Sequence, residues 1–196
     1  MAVKGLDAPY WEERYRAQDT GWDIGYISTP LKDYADSLKE ADLKILIPGA
    51  GNGHEAVYLH QKGFKQVYVL DWSSSALDHI QEQCPDFPKE HLICSDFFQH
   101  QGQYDLILEQ TFFCALTPNL RRDYAAHMSE LLKPKGRLVG LLFDAPLNKD
   151  IPPFGGSKEE YLEYFRPFFA LDTFEAAYNS IPQRAGRELF INLIKP

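Results

Sequence analysis

The chain has 196 residues and a net charge of -8, with 44% hydrophobic and 24% charged residues. This length and composition fit one globular domain with a sizeable core. The acidic balance, with no cluster of lysine and arginine to offset it, argues against binding to nucleic acids or to an anionic membrane surface.

Aromatic residues crowd the beginning of the chain, where the first helix is predicted. A proline opens this helix at 9–15, and Trp11 and Tyr15, four positions apart, share one of its faces. Glycines and a proline between 21 and 30 mark a loop. Apolar residues at helical spacing over 31–38 predict a second helix.

Beyond this point, strands and helices are predicted to alternate. Apolar runs indicate strands at 43–48, 66–71, 91–95, 104–109 and 137–143, and further strands near 170–178 and 188–194. Helical patterns occupy 54–61, 76–83, 118–133 and a segment that starts with capping-box spacing at 157–160. Continuous apolar strands are typical of a parallel sheet covered on both faces. Without an internal repeat or boundary, residues 1–196 are predicted to form one α/β domain.

Targeting and metal signals are missing from the sequence. Residues 1–7 hold no apolar stretch of signal-peptide length, and no window is long enough to span a membrane. Cys84, Cys94 and Cys114 cannot all pair, so free thiols in a reducing cytosol are the simplest interpretation. Neither they nor the six histidines show metal-ligand spacing. We expect a cytoplasmic monomer or weak dimer that binds no metal and acts on a small molecule or anion.

A glycine-rich turn at 49–53 follows the first strand and precedes a helix. Gly49 and Gly51 let a ligand approach the backbone closely, and the helix N-terminus offers free N–H groups. A dinucleotide site has the spacing G-x-G-x-x-G/A, whereas His54 stands at the sixth position here. His54 is expected to crowd the helix–strand contact, and Glu55 is badly placed for a pyrophosphate. An NAD-dependent oxidoreductase is therefore kept only as an alternative.

Two acids end neighbouring strands and are predicted to hold a nucleoside. Asp71, 22 residues after Gly49, can accept bonds from ribose hydroxyls, and Asp96 from an adenine amino group. Trp72 and Phe97 are predicted to pack on the base. The alternative is that both acids only cap helices or lie in solvated loops.

Several motifs in this order resemble the thiopurine methyltransferase family, most closely its thiol and halide methyltransferase branch. The resemblance is most specific at residues 111–116 and covers nearly the whole chain. It is carried by 11–15, 21–23, 29–30, 47–53, 111–116, 131–136, 152–154, 157–161 and 186–188.

This resemblance implies a class I methyltransferase fold, Rossmann-like, with a seven-stranded, mostly parallel sheet whose last strand is antiparallel. It also implies S-adenosylmethionine as the cofactor, with S-adenosylhomocysteine as its product. Family cofactor positions fall on Trp11, Tyr15, Trp22, Gly49, Asp71, Asp96, Phe97 and Gln110. Two departures bear on the acceptor: Tyr15 and Gln110 stand where the halide-type branch tends to have Trp and Tyr.

The chemistry of a sulfonium donor explains the aromatic residues near the start. Aromatic rings attract a cation by about 0.5–2 kcal/mol each. Trp11, Tyr15 and Trp22 are therefore predicted to line the cofactor site within an N-terminal helical lid over residues 1–40. Alternatively, they form only the packed side of a helix. A catalytically silent cofactor-binding module also stays open as an interpretation.

Methyl transfer to a thiolate, sulfide, halide or thiocyanate needs no general base, only alignment and removal of water. Three residues are predicted to line the acceptor side: Phe112, Phe113 and Phe154. A thiol that must ionise needs a stabilising group. Arg187 is the preferred one, with Tyr178 or a nearby histidine as other choices. A surface ion pair of Arg187 with Glu188 or another acid is the alternative role.

Overall fold

The computed structural model describes residues 5–196, so residues 1–4 of the predicted domain and lid lie outside the described residues. Within that range helices and strands alternate as predicted. The helices are α1 (Ala8–Arg16), α2 (Thr29–Ser37), α3 (His54–Gln61), α4 (Ser74–Gln83), α5 (Arg121–Leu131) and α6 (Lys158–Phe165). The strands are β1 (Ile45–Pro48), β2 (Val67–Asp71), β3 (Leu92–Cys94), β4 (Tyr104–Gln110), β5 (Leu132–Phe143), β6 (Ala170–Ala176) and β7 (Glu188–Ile194).

The strands form one sheet in the order β3-β2-β1-β4-β5-β7-β6. Strands β1 to β5 pair in parallel, while β7 is antiparallel to both β5 and β6. The order reverses between β1 and β4, which is where open α/β sheets bind ligands. The predicted seven-stranded sheet with an antiparallel last strand is confirmed.

Helices cover both faces of this sheet. On one face α5 and α6 bury Tyr124 and Phe165. On the other face α2, α3 and α4 bury Leu31, Leu59 and Ile80. Each such side chain contributes about 1.5–3 kcal/mol when it leaves water. Among the described residues, no helix combines the length and apolar character that a membrane span requires.

Short polar side chains begin three of the helices. Asp7 accepts the Tyr10 N–H at 3.1 Å, and Ser73 accepts the Ala76 N–H at 3.1 Å. Ser157 accepts the Glu160 N–H at 3.3 Å, as its capping-box spacing predicts. Each cap contributes about 0.5–2 kcal/mol.

Residues 134–136, between the predicted helix at 118–133 and the predicted strand at 137–143, lie inside β5. Tyr104 pairs with Leu132 but Leu106 pairs with Arg137, so residues 133–136 loop out of the ladder. Pro134 has no N–H to donate, and Lys135 has a φ of 65°. The predicted helix at 118–133 is correspondingly shorter, because Leu132 already pairs in the sheet and residues 118–120 form a 3-10 turn.

Candidate active site

A cavity of about 620 Å³ opens where β1, β2, β3 and β4 end, and residues of the N-terminal segment cover it. This volume lies within the usual range of roughly 300–1,000 Å³ for small-molecule sites. Its walls include most of the predicted site residues: Trp11, Tyr15, Trp22, Gly49, Asp71, Trp72, Asp96, Phe97, Phe112 and Arg187. The structure thus brings together residues from across the chain.

Two predicted cofactor residues lie beside the main cavity rather than in it. Gly51 and Gln110 line an adjoining pocket of about 40 Å³ that shares Gly49 and Trp22 with the cavity. The side-chain carbonyl of Gln110 accepts the Ser28 hydroxyl at 3.0 Å. Gln110 therefore lies next to the glycine loop and is bonded to the residue that precedes α2.

Phe113 and Phe154 do not line the cavity and are core residues, 2% and 1% exposed. Phe113 packs against Tyr124 and Tyr161, with ring centroids 5.1 Å away in each case. The backbone N–H of Phe154 donates to the Cys114 carbonyl at 2.7 Å. Of the three predicted acceptor phenylalanines, only Phe112 reaches the cavity surface, because the turn at 113–115 directs Phe113 towards α5 and α6.

Tyr178 lies outside the cavity, with its side chain 91% exposed. Its neighbour Ala177 extends the ladder by donating to the Glu188 carbonyl and is buried, so Tyr178 points outward. Tyr178, predicted as a catalytic residue, therefore does not lie where most of the other predicted site residues meet. No histidine of residues 5–196 lines the cavity either.

The glycines of the loop have no room for a side chain. Gly49 and Gly51 adopt φ values of 58° and 54°, in the left-handed region that glycine tolerates. A Cβ on Gly49 would lie 2.3 Å from the Phe112 ring, and one on Gly51 would lie 2.6 Å from the Tyr15 hydroxyl. Gly53 makes the close contact with Ile80 of α4. His54 begins α3, and its ring bonds to Asp23 instead of crowding the helix–strand contact as expected.

Both strand-end acids line the cavity and also hold backbone groups. The Asp71 carboxylate accepts the N–H groups of Gly51 at 3.0 Å and Ser73 at 2.9 Å. Burial raises its pKa despite these bonds. Asp96 accepts the Phe98 N–H at 2.9 Å. A carboxylate has about four lone-pair sites, so capping does not preclude bonds to a ligand.

The predicted aromatic wall is assembled. The Trp22 ring lies edge-to-face with Trp11 and Tyr15, at centroid distances of 5.6 and 5.8 Å. The guanidinium of Arg14 lies 4.9 Å from the Trp22 centroid. Burial raises the pKa of Tyr15 well above its usual range, so its hydroxyl stays protonated. An aromatic ring attracts a cation placed over its electron-rich face, as the Arg14 guanidinium is placed over Trp22.

The N-terminal strap, which we define as residues 5–28, is bonded to the glycine loop through Asp23. The Asp23 carboxylate accepts bonds from the Asn52 side-chain amide and from Nε2 of His54, the latter at 2.7 Å. The bond from His54 lowers the pKa of Asp23 and in turn raises the pKa of His54.

Arg184 is a wall residue that the sequence analysis missed. Its guanidinium donates to the Trp22 carbonyl at 2.8 Å and lies 3.5 Å from Glu188 and 5.6 Å from the Phe143 centroid. Only 11% of its side chain is exposed. Glu188 therefore pairs with Arg184 and not with Arg187, which lines the cavity as an exposed residue. The only available signal was that Arg184 lies four residues before the start of the last strand.

Glu109 was also missed, because an acid inside an apolar strand gives no hint of its partners. It is fully buried, and one carboxylate oxygen accepts the N–H groups of Phe112 at 2.8 Å and Phe113 at 3.0 Å. The other oxygen has no partner. Burial, with a smaller contribution from the acids Glu188 and Glu55, raises the pKa of Glu109 to about 7.

Comparison with known proteins decides the family. The model of the thiopurine S-methyltransferase family matches residues 6–190. The chain belongs to this family. Thiocyanate methyltransferase 1 of Arabidopsis thaliana is 30% identical over 191 residues, covering 94% of this chain and 84% of the relative. Thiocyanate methyltransferase 1 of Brassica oleracea is 32% identical over 185 residues, covering 91% and 81%.

Solved structures show the same fold. A Burkholderia thailandensis 1,6-didemethyltoxoflavin-N1-methyltransferase with bound S-adenosylhomocysteine has a TM-score of 0.76 at 15% identity, covering 97% of this chain and 87% of that one. Magnesium protoporphyrin IX methyltransferase of Synechocystis with bound S-adenosylmethionine has a TM-score of 0.70 at 14% identity, covering 100% and 98%.

Family membership and fold together confirm an S-adenosylmethionine-dependent methyltransferase and decide against an NAD-dependent oxidoreductase. The residues present fit this cofactor. The edge-to-face rings suit a sulfonium, the carboxylates of Asp71 and Asp96 suit hydroxyl and amino donors, and Gly49 brings bare backbone to the cavity wall.

Proposed function

We propose that this protein transfers a methyl group to a small, soft nucleophile: a thiolate, sulfide, halide or thiocyanate. The observation that carries the proposal is the makeup of the wall beyond the acids and the tryptophans. It combines apolar side chains with three guanidinium groups and a few neutral polar side chains, from Phe112, Leu116, Leu120, Phe143, Leu147, Pro152, Arg14, Arg184, Arg187, Ser95, Thr111, Thr117 and Gln183.

Such a wall suits an anion that needs no base. When bound, S-adenosylmethionine supplies the electrophilic methyl group. Phe112 and Phe143 exclude water from the acceptor, which strengthens electrostatic attraction and leaves the nucleophile poorly hydrated. Arg184, held by Trp22 and Glu188, provides a fixed positive charge without being able to take up or release a proton. Alignment and desolvation then supply the rate enhancement.

The cofactor contacts belong to the same proposal. Trp11, Tyr15 and Trp22 face the sulfonium, Asp71 the ribose and Asp96 the adenine amino group. Trp72 and Phe97 pack on the base, while the loop at Gly49 and Gly51 runs beside the ligand. These assignments are supported by the position of each residue at the cavity or its adjoining pocket.

Names of relatives agree with a soft acceptor, since thiocyanate and thiol methyltransferases of plants are among them. We further propose a cytoplasmic monomer or weak dimer that does not bind nucleic acid. The free thiols of Cys84, Cys94 and Cys114 and the net charge of -8 support this assignment.

The test begins with calorimetric titration of S-adenosylhomocysteine and continues with an acceptor screen. Iodide, thiocyanate, sulfide and thiophenol are compared with phenol as a hard counterpart of thiophenol. Micromolar binding with turnover of the soft acceptors and little of phenol is the expected result. Binding with preference for oxygen acceptors contradicts the acceptor class. Absence of binding contradicts the cofactor contacts.

A further inference from the structure

Glu12 connects the N-terminal strap to the start of α4. Its carboxylate accepts the hydroxyl of Ser73 at 2.7 Å, and the hydroxyl and N–H of Ser75 at 2.6 and 3.2 Å. Ser73 is fully buried and also caps α4 by accepting the Ala76 N–H. Arg16 adds an ion pair with Glu12 at 2.9 Å.

Three physical effects stabilise the contact between Glu12 and the start of α4. The first N–H groups of a helix lack intrahelical partners, and the helix dipole favours a negative charge there. Hydrogen bonds to an ionised carboxylate are shorter and stronger than neutral ones. The bonds from Ser75 lower the pKa of Glu12 to about 2, so the group is charged at any physiological pH.

The two ends of the contact both adjoin the cavity wall. On α1, Glu12 follows Trp11 and stands one turn before Tyr15, so its anchor fixes the helix that presents both rings. On the other side, Ser73 follows Asp71 and Trp72, which also line the cavity. One carboxylate thus joins the aromatic wall to the end of β2.

We propose that Glu12 is a positioning residue for cofactor binding: it docks α1 on α4 and thereby holds Trp11 and Tyr15 over the cavity. The inference rests on the proposed cofactor contacts of those two rings. Glu12 itself faces serines and not the cavity.

The test compares Glu12→Gln with Glu13→Gln, its exposed neighbour on the same helix. Glutamine keeps the size of the side chain but turns an amide NH₂ group towards donors. We expect the dissociation constant of S-adenosylhomocysteine to rise about tenfold for Glu12→Gln, which corresponds to one charge-assisted bond. The dissociation constant for Glu13→Gln should stay within twofold of the wild-type value. Ser75→Ala gives a similar rise, and the double variant is less than additive because both changes break one contact.

A second readout needs no ligand. Trypsin can cleave after Arg14, whose side chain bonds to Tyr10 and Asp19 and not to Glu12, and this cleavage is expected to accelerate several-fold in Glu12→Gln when the strap undocks. Equal binding and equal cleavage for the Glu12→Gln and Glu13→Gln variants overturn the proposal. If the wild type does not bind S-adenosylhomocysteine, the proposed function fails, while the cleavage comparison still decides whether Glu12 docks α1.

Discussion

The N–H of Gly51 donates to the carboxylate of Asp71 at 3.0 Å, across the gap between the glycine loop and the end of β2. The other Asp71 oxygen accepts the Ser73 N–H at 2.9 Å. Asp71 therefore shapes the loop as well as lining the cavity. The two roles considered for this acid, a local cap and a ligand contact, are compatible.

Replacing Asp71 with alanine is expected to weaken both stability and cofactor binding. Two N–H groups lose their acceptor, which costs about 2 kcal/mol of unfolding free energy, and S-adenosylhomocysteine binding falls more than tenfold. Urea unfolding and calorimetry measure the two effects. Asp78→Ala, which removes an exposed acid from α4, is the matched control and leaves both unchanged. If Asp71→Ala binds S-adenosylhomocysteine as tightly as the wild type, Asp71 does not contact the ribose.

Arg184→Met is expected to raise the KM for an anionic acceptor such as thiocyanate more than tenfold. The buried guanidinium interacts in a low dielectric, whereas Arg187 is exposed and screened. In steady-state kinetics, Arg187→Met should therefore change the KM for thiocyanate by less than threefold. Arg184→Lys keeps the charge and should fall between the two. A larger rise in KM for Arg187→Met than for Arg184→Met would mean that Arg187, and not Arg184, contacts the anion.

His54→Gln is expected to remove a pH dependence of cofactor binding. The folded pKa of His54 is raised, mainly by its bond to Asp23 and also by Glu55, so the charged pair stabilises the docked strap below pH 6.5. This contribution is lost as pH rises through the raised pKa. Titration of S-adenosylhomocysteine across pH 6–9 should show weakening in the wild type but a flat profile in the variant. His60→Gln, at the far end of α3, should behave as wild type.

The features of the fold and the site that could be predicted from the sequence are those with local sequence signals. The start of α3 and the cap at Ser157 follow from spacing within a few residues, and the structure reproduces both. The bond from Arg184 to Trp22 joins residues 162 positions apart, so no local pattern contains it. Phe112 and Phe113 look equivalent in sequence. Packing against α5 and α6 alone decides that Phe113 is core.

Glu109→Gln is expected to reduce the loss of stability at rising pH. The pKa of Glu109 moves from 4.5 in the unfolded chain to about 7 in the fold, because burial disfavours its charge. Below pH 4.5 Glu109 is protonated in both the folded and the unfolded chain, so it does not lower the unfolding free energy. As pH rises towards 7 only the unfolded chain ionises, so the unfolding free energy falls by about 3 kcal/mol in total.

Glutamine removes this ionisation but keeps a carbonyl for the N–H groups of Phe112 and Phe113. Urea unfolding at pH 5 and pH 8 should therefore show a smaller difference for Glu109→Gln than for the wild type. The remaining difference comes in part from Glu55 and Glu188, whose pKa values burial also raises. Glu90→Gln, an exposed control, should retain the full difference. An unchanged difference in Glu109→Gln would mean that Glu109 is ionised in the fold, so that its unpartnered oxygen must gain a donor or water.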